Sequence, residues 1–400
     1  PANSATVRSM PGAMPPWKPS AGVAMHGERR LTGAEIKTLA EWADRGTPAG
    51  DIKDSPPPRD FTDGWQLGTP DLILSPADEF VLGPTGRDHF RCFVMPTNLP
   101  EDVYVAAVEL RPGNPRIVHH LLLFIDTTGQ ARKLELAEKD KKPAPPDPLH
   151  PQPLEAAQWD KGPGYSVPMG VGFIPQGALS GWSPGITPRF LPDGTGFYLP
   201  KKSDVVMQIH YHRDGRVGRD KTQVGLYFAK KPVERPYVGG AIAGGQGNGL
   251  LRVFFSIPAG ADAFKLAGDA YAQRDFTLYS ISPHMHMLGK DISVSMKSPD
   301  GQTKKLLAID QWDYNWQEIY FLKEPIQVKA GSTFHIEATY DNSAKNPLNP
   351  FTPPQRVTFG EQTFNEMCFV FLGGTADPTA LGRTRRLPVL PNEPKKNASK

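Results

Sequence analysis

Cysteine is scarce in this chain of 400 residues, which contains only Cys92 and Cys368. Two cysteines cannot build a disulfide-dense scaffold or a cysteine-rich zinc module. The chain also lacks a C-x-x-C pair, and therefore the C-x-x-C-H motif that covalent haem requires. It begins at Pro1 without a charged and apolar leader, so we expect a processed or trimmed chain.

Long apolar runs and a surplus of one charge are absent as well. The sequence has no apolar run of the roughly 18 residues that a spanning helix needs, so we expect no membrane span. Lys and Arg number 45 against 42 Asp and Glu, which gives a net charge of +3 without a basic cluster. This balance predicts no nucleic-acid partner.

Turn-forming residues are abundant instead, with 39 glycines and 43 prolines. This composition favours many short strands joined by turns, and hence a mainly β protein. The stretch 127–200, rich in Pro, Gly and Lys, is predicted to be one elaborated loop. The predicted strands are 72–74, 89–94, 103–110, 116–125, 205–212, 223–228, 251–257, 275–282, 292–298, 326–328, 333–340 and 367–372.

One helix is predicted near the N-terminus, and two Pro-rich segments divide the rest. Thr32 and Glu35 have the spacing of a capping box, and apolar residues recur at helical spacing until Gly46. The segments 51–59 and 230–236 read as linkers. We therefore expect two antiparallel β domains in tandem, with these boundaries: 1–50 helical segment, 51–60 linker, 61–232 first β domain, 233–378 second β domain and 379–400 tail.

Six of the ten histidines fall in three short motifs, which are His119-His120, His210-Tyr211-His212 and His284-Met285-His286. Alternate residues of a strand share a face, so an H-x-H motif presents two imidazoles to one side. An adjacent pair needs a twist, a bulge or a strand end to do the same.

Each motif also has a simpler interpretation, as a solvated face or a hydrogen-bonded pair in a core. Three such motifs in one chain favour a metal site. The other histidines have no such partner and are expected to be structural or exposed: His26, His89, His150 and His335.

Copper suits these motifs better than zinc. A zinc site usually includes a cysteine or a close acidic ligand, and none lies beside the histidines. Imidazoles combined with a soft thioether suit both oxidation states of copper. Met367 is the candidate thioether, although a methionine at such a position most often fills a core.

Four motifs occur in the order of a known family, over about Phe61 to Gly374. The four motifs are Val118–Phe124, Met207–Tyr211, His284–Lys290 and Glu366–Cys368. In sequence and order they resemble the copper type II, ascorbate-dependent monooxygenases, the family of peptidylglycine α-hydroxylating monooxygenase and dopamine β-monooxygenase.

The resemblance implies two β-sandwich, jelly-roll-like domains that each hold one copper, with a solvent-filled cleft between them. The ligands it implies are His119, His120 and His210 for one copper and His284, His286 and Met367 for the other. The first copper would pass on an electron, and the second would bind O2 and attack a substrate C–H bond, which makes its ligands catalytic. His212 matches no family ligand and is expected to be a neighbour of the site.

The chain departs from the peptide-amidating members of the family. Those enzymes anchor a peptide carboxylate with an arginine, an asparagine and a tyrosine. Ser282, Phe369 and Phe371 occupy these positions here, so we expect no peptide amidation. The two phenylalanines and Met287 favour an apolar substrate. Cys92 and Cys368 fall in different predicted domains, so we expect both thiols to be reduced and buried.

The N-terminal segment resembles the C-terminal half of a small c-type cytochrome that is fused ahead of bacterial copper monooxygenase-like domains. Met14 matches the axial haem ligand, and the stretch Glu28–Trp42 matches the last helix. This resemblance implies haem c in a full-length protein. A vestigial piece, or a plain methionine-containing turn with a docking helix, is equally open.

The expected function is hydroxylation of a C–H bond in a small-molecule substrate, with O2 and two external electrons. A cytochrome or an ascorbate-like reductant would donate the electrons, and the location would be extracytoplasmic, either periplasmic or secreted. One alternative is a non-catalytic copper-binding or electron-transfer protein. Another is a β-sandwich adhesion module whose histidines are incidental.

Overall fold

A computed structural model of the chain describes residues 17–58, 64–138, 160–246, 253–377 and 386–390. The described helices are Gly33–Asp44, Gln130–Glu138 and the short 3₁₀ helix Ile52–Asp54. No helix within these ranges is both long and apolar enough to cross a membrane. Met14, the haem ligand proposed from the sequence, lies outside the described residues, and so does His150.

Strands dominate the described residues, which confirms the prediction of a mainly β protein. Along the first part of the chain they are β1 (Ala21–Gly22), β2 (Leu72–Leu74), β3 (Phe80–Leu82), β4 (His89–Pro96), β5 (Val103–Arg111), β6 (Val118–Asp126), β7 (Gly177–Trp182), β8 (Thr195–Leu199), β9 (Asp204–Tyr211), β10 (Gly218–Asp220) and β11 (Gln223–Phe228). Further along they are β12 (Arg235–Ala243), β13 (Ser256–Ile257), β14 (Phe264–Ala272), β15 (Phe276–His284), β16 (Gly289–Lys297), β17 (Thr303–Ile309), β18 (Tyr320–Val328), β19 (Thr333–Tyr340), β20 (Val357–Thr358), β21 (Phe369–Ala376) and β22 (Val389–Leu390).

The strands form two halves, each with its own core. In the first half, β2–β11, apolar residues of the four-stranded sheet β4-β9-β6-β7 pack against those of β5, β8, β11 and β2. In the second half, the six-stranded sheet β1-β17-β16-β19-β14-β22 packs against β12, β15, β18 and β21. One eight-stranded sheet crosses between the halves, because Arg235 and Pro236 of β12 pair in parallel with Thr195 and Gly196 of β8.

His210 lies on strand β9, an inner strand of the four-stranded sheet in the first half. This strand lies between β4 and β6, and all eight of its residues are buried. Val205, Met207 and Ile209 alternate into the first core. His210, two residues from Gln208, therefore faces the opposite side of the sheet, where Val206 packs into a smaller apolar cluster.

The ends of the described chain belong to the second core rather than to separate segments. Trp17 and Met25 are buried there, and β1 pairs with β17. At the other end, Leu387 and Val389 are buried in the same core, and β22 pairs with β14. The sequence had placed these residues in a cytochrome-like segment and a tail, because short polar-flanked runs give no sign of pairing with a distant sheet.

Two predicted connections contain regular structure. The stretch 127–200 includes the helix Gln130–Glu138 and the strands β7 and β8. The second predicted linker ends in a strand, because β12 begins at Arg235. Its Gly239 and Gly240 pair with Gly373 and Leu372 of β21, so backbone pairing rather than strand propensity forms this strand.

Candidate metal centre

Three histidines of the first half converge, although two of them are adjacent in sequence. His120 lies opposite His210 in the pairing of β6 with β9, and the register shifts between Val118 and His120. This β-bulge turns His119 and His120 toward the same side, which regular pleating would prevent. One ring nitrogen from each of His119, His120 and His210 lies within 4.8 Å of the other two.

The protonation state of this set suits metal binding. Burial lowers the pKa of His119 to about 3 and that of His120 well below its ordinary value, so both imidazoles are neutral. Nδ1 of His119 is buried without a hydrogen-bond partner. An unpaired buried nitrogen within a cluster of neutral imidazoles is costly unless it has a ligand, so the residues fit a metal ion.

Asp88, just before β4, orients the most buried member of the set. Its Oδ2 lies 2.9 Å from Nε2 of His210, and its Oδ1 lies 3.5 Å from Nδ1 of His212. A carboxylate in this position fixes the orientation of a ligating imidazole. His212 has a side chain 60% exposed and therefore lies beside the cluster, as its sequence position suggests.

The histidines of the second half lie where a strand ends. His284 is the last residue of β15, and His286 lies outside the strand. The expectation that one strand contains the whole H-x-H motif is therefore wrong. Their rings are 5.2 Å apart at a right angle. Burial lowers the pKa of His284 to about 4 and that of His286 well below its ordinary value.

In both rings Nδ1–H donates a hydrogen bond to an oxygen, which holds the ring in place. Nδ1 of His286 lies 3.1 Å from the carbonyl oxygen of Asn365, and Nδ1 of His284 contacts the side-chain oxygen of Gln317. In each ring Nε2 is then the nitrogen suited to a metal.

The buried carboxylate of Glu366 connects His286 to Met367. Its oxygens accept the backbone N–H groups of His286 at 2.9 Å, Leu288 at 2.7 Å and Met367 at 3.1 Å. This contact brings the backbone of the candidate thioether beside that of the histidine, just before β21 begins. Burial raises the pKa of Glu366 to about 8 despite these hydrogen bonds.

The two sets of histidines meet across the two halves. The rings of His120 and His284 are 5.8 Å apart. Tyr314, from the second half, stacks on His119 at 4.4 Å and lies 5.9 Å from His286. Instead of the solvent-filled cleft that the resemblance implies, the structure has direct ring contacts between the sets.

Hydrogen bonds between polar side chains also connect the two halves beside the histidines. The hydroxyl of Tyr314 lies 3.0 Å from that of Thr363, and the hydroxyl of Thr363 donates to Asp88. Sequence reasoning identified the histidines but none of these three residues. An acidic residue directly before an apolar strand was an available signal at Asp88, which precedes β4.

Ser282, Phe369 and Phe371 were expected near the second set of histidines, and the two cysteines were expected to be reduced and buried. Phe369 pairs with His284 and Phe371 with Ser282, so these three positions flank the second set as expected. Cys92 and Cys368 are both free and buried, as predicted. Burial raises the pKa of Cys92 to about 12 and that of Cys368 to about 11, so neither is a reactive thiolate.

Comparison with known proteins finds one family model that matches part of the chain. Residues 253–373, which contain His284, His286 and Met367, match the model of the copper type II ascorbate-dependent monooxygenase C-terminal domain. Solved structures match only weakly: that of PNGF-II covers 76% of this chain and 65% of that chain with a TM-score of 0.26 and 10% identity, and carries no argument.

Three curated relatives agree with the family model. DBH-like monooxygenase protein 1 of Mus musculus is 25% identical over 70% of this chain and 43% of its own length. The same protein of Gallus gallus is 26% identical over 50% and 33%, and dopamine beta-hydroxylase of Canis lupus familiaris is 25% identical over 69% and 41%. The chain thus spans less than half the length of each relative. The family model and these relatives thus agree that the chain is similar to copper type II ascorbate-dependent monooxygenases, at 25–26% identity and with the family model matching residues 253–373.

Proposed function

We propose that this protein is a copper-dependent monooxygenase, an oxidoreductase that hydroxylates a C–H bond of a small-molecule substrate. One atom of O2 enters the C–H bond as a hydroxyl group, and the other leaves as water after taking up two electrons and two protons. The observation that supports this best is the meeting of two sets of buried, neutral imidazoles, with His120 and His284 in ring contact. The match of residues 253–373 to the copper type II monooxygenase C-terminal domain supports copper as the metal.

The proposed ligands are His119, His120 and His210 for one copper and His284, His286 and Met367 for the other. Copper bound there supplies one-electron transfer and the activation of O2. A set of three nitrogens and a set of two nitrogens with one sulfur differ in softness, and the sulfur favours Cu(I).

Neighbouring residues of this chain hold the ligands in place. The carboxylate of Asp88 orients His210, and that of Glu366 holds the backbones of His286 and Met367 together. The stacked ring of Tyr314 covers one face of the imidazole of His119 and keeps water from it.

The electron donor and the location belong to the same proposal. We propose an ascorbate-like reductant or a cytochrome as the donor, and an extracytoplasmic location. A haem c held by Met14 stays a prediction from the sequence.

Oxygen consumption and X-ray absorption test the proposal together. The copper-loaded protein with ascorbate should consume O2 faster when a substrate is added, whereas a non-catalytic copper protein should show no such stimulation. The reduced protein should show a sulfur scatterer at bonding distance from copper. Met367→Ile keeps size and apolarity, at a stability cost of about 1 kcal/mol, and should lose both the sulfur scatterer and the substrate-dependent O2 consumption.

The matched control is Met296→Ile, which changes a buried methionine of β16 in the second core. This variant should keep the sulfur scatterer and the O2 consumption. A scatterer that persists in Met367→Ile would show that Met367 is not a ligand and would contradict the proposal.

A further inference from the structure

The outer face of the sheet beside His284 carries two phenylalanines. Phe369 and Phe371 are two residues apart on β21 and therefore share a face, and their rings stack at 5.9 Å. Phe371 is 41% exposed, and its ring lies 6.3 Å from that of His284. An apolar surface thus begins at one of the proposed copper ligands.

Small side chains on both neighbouring strands leave these rings uncovered. Ala243 of β12 lies opposite Phe369 and Ala241 lies opposite Phe371. On the other side, β15 places Ser282 opposite Phe371. None of these three cross-strand neighbours carries a charge, so none of them can pair with a carboxylate or an ammonium group of a ligand.

The aromatic surface continues away from His284. The ring of Phe359 lies 6.2 Å from that of Phe369 and 5.5 Å from that of Phe254, both in edge-to-face geometry. Phe254 is 58% exposed. Phe254, Phe255 and Phe359 line an open groove of about 380 Å³.

Part of the lining of this groove is polar. Gln246, Ser256 and Thr358 complete its lining. The hydroxyl of Ser256 accepts a hydrogen bond of 2.8 Å from Arg356. The groove therefore offers both hydrogen-bonding groups and aromatic faces.

From these contacts we propose that the substrate is an uncharged aromatic compound that stacks on an aromatic strip formed by Phe371, Phe369, Phe359 and Phe254. Its reacting C–H bond lies at the His284 end. This inference rests on the proposed monooxygenase function. Ring faces bind aromatic compounds by stacking and burial, whereas a charged group laid on the rings beside His284 would be desolvated and could not pair with Ala241, Ala243 or Ser282.

Fluorescence of N-phenyl-1-naphthylamine, an uncharged aromatic probe, measures the strip directly. The probe should bind both the copper-loaded and the metal-free protein, and ethylbenzene should displace it. Phenylacetate and phenethylammonium, which add a charge to the same ring, should compete at least about tenfold less well. Phe371→Ala should weaken probe binding about tenfold.

The matched control is Phe190→Ala, which removes an exposed phenylalanine that contacts Tyr227 in the first half. This variant should bind the probe as the original chain does. Equal weakening by both variants, preference for a charged analogue, or a change of oligomeric state in Phe371→Ala without a change in probe binding would overturn the proposal. If the protein bound the probe but consumed no O2, the aromatic strip would be supported as a binding surface and the proposed monooxygenase function would be contradicted.

Discussion

His89 lies near a carboxylate and is nevertheless neutral in the folded protein. Its Nδ1 is 3.4 Å from Oδ2 of Asp160, but Arg213 already pairs with that carboxylate at 2.7 Å. Burial therefore dominates and lowers the pKa of His89 to about 4. The charged groups that face it are Asp160, Arg91, Arg213 and Glu138.

This pKa predicts a loss of stability in acid. Unfolded His89 titrates near pH 6.5, so between about pH 6.5 and 4 the unfolded chain binds a proton that the folded chain does not. The contribution is fully present above pH 6.5 and is lost as the pH falls to 4, by about 3 kcal/mol. Urea unfolding of the metal-free protein should show this loss, and His89→Gln should lack it.

The comparison of the two chains isolates His89, because the other histidines titrate alike in both. The difference in free energy of unfolding between the original chain and His89→Gln should shrink as the pH falls from 7 to 4. A difference that stays constant over this range would contradict a neutral His89.

The candidate metal ligands could be predicted from the sequence, but the residues that hold them in place could not. The three histidine motifs and Met367 are local patterns of metal-binding side chains. Asp88 and Tyr314 act on His210 and His119 across strands and across halves, so their roles depend on pairing that no local pattern encodes.

At the scale of elements, the segment from Trp17 to Met25 adds an edge to the second core. Ala21 pairs with Ala308 of β17, and Trp17 packs edge-to-face on Tyr320 at 5.6 Å. Trp17→Ala should lower the free energy of unfolding by about 3–5 kcal/mol, because it leaves a cavity in that core. Chemical denaturation followed by circular dichroism measures the loss.

Trp17→Phe is the control for this prediction. Nε1 of Trp17 is buried without a hydrogen-bond partner, so removing the indole N–H leaves no other group unsatisfied. This variant should lose clearly less stability than Trp17→Ala. Equal losses, or no loss in either, would show that the segment is not part of the core.

Elements with strong local signals were predicted well. The capping box of Thr32 and Glu35 begins the helix Gly33–Asp44, and the predicted strands 72–74, 223–228 and 333–340 match the structure. Among the strands that were missed, β7, β8 and β12 are rich in glycine or lie among prolines. Neighbouring strands supply their hydrogen bonds whatever their own propensity, so sequence alone could not identify them.

At the scale of the whole molecule, the contact between the halves was not foreseen. The segment 230–236 was interpreted as a linker between two β domains, and the structure has two hydrophobic cores. The parallel pairing of Arg235 with Thr195 and the approach of His120 to His284 arise from packing between the units. Such contacts have no periodic signal in the sequence.

Copper content at equilibrium tests the central claim, that each half supplies one set of copper ligands, most directly. The original chain, reconstituted with Cu(I) and dialysed in the presence of equal zinc, should hold two coppers. His210→Ala and His284→Ala should each hold one, because the other ligand set lies on strands of the other half, and the double variant should hold none. His335→Ala, which changes a half-exposed histidine paired with Asp269, should hold two. Zinc bound in place of copper, or an unchanged copper content in His284→Ala, would contradict the account.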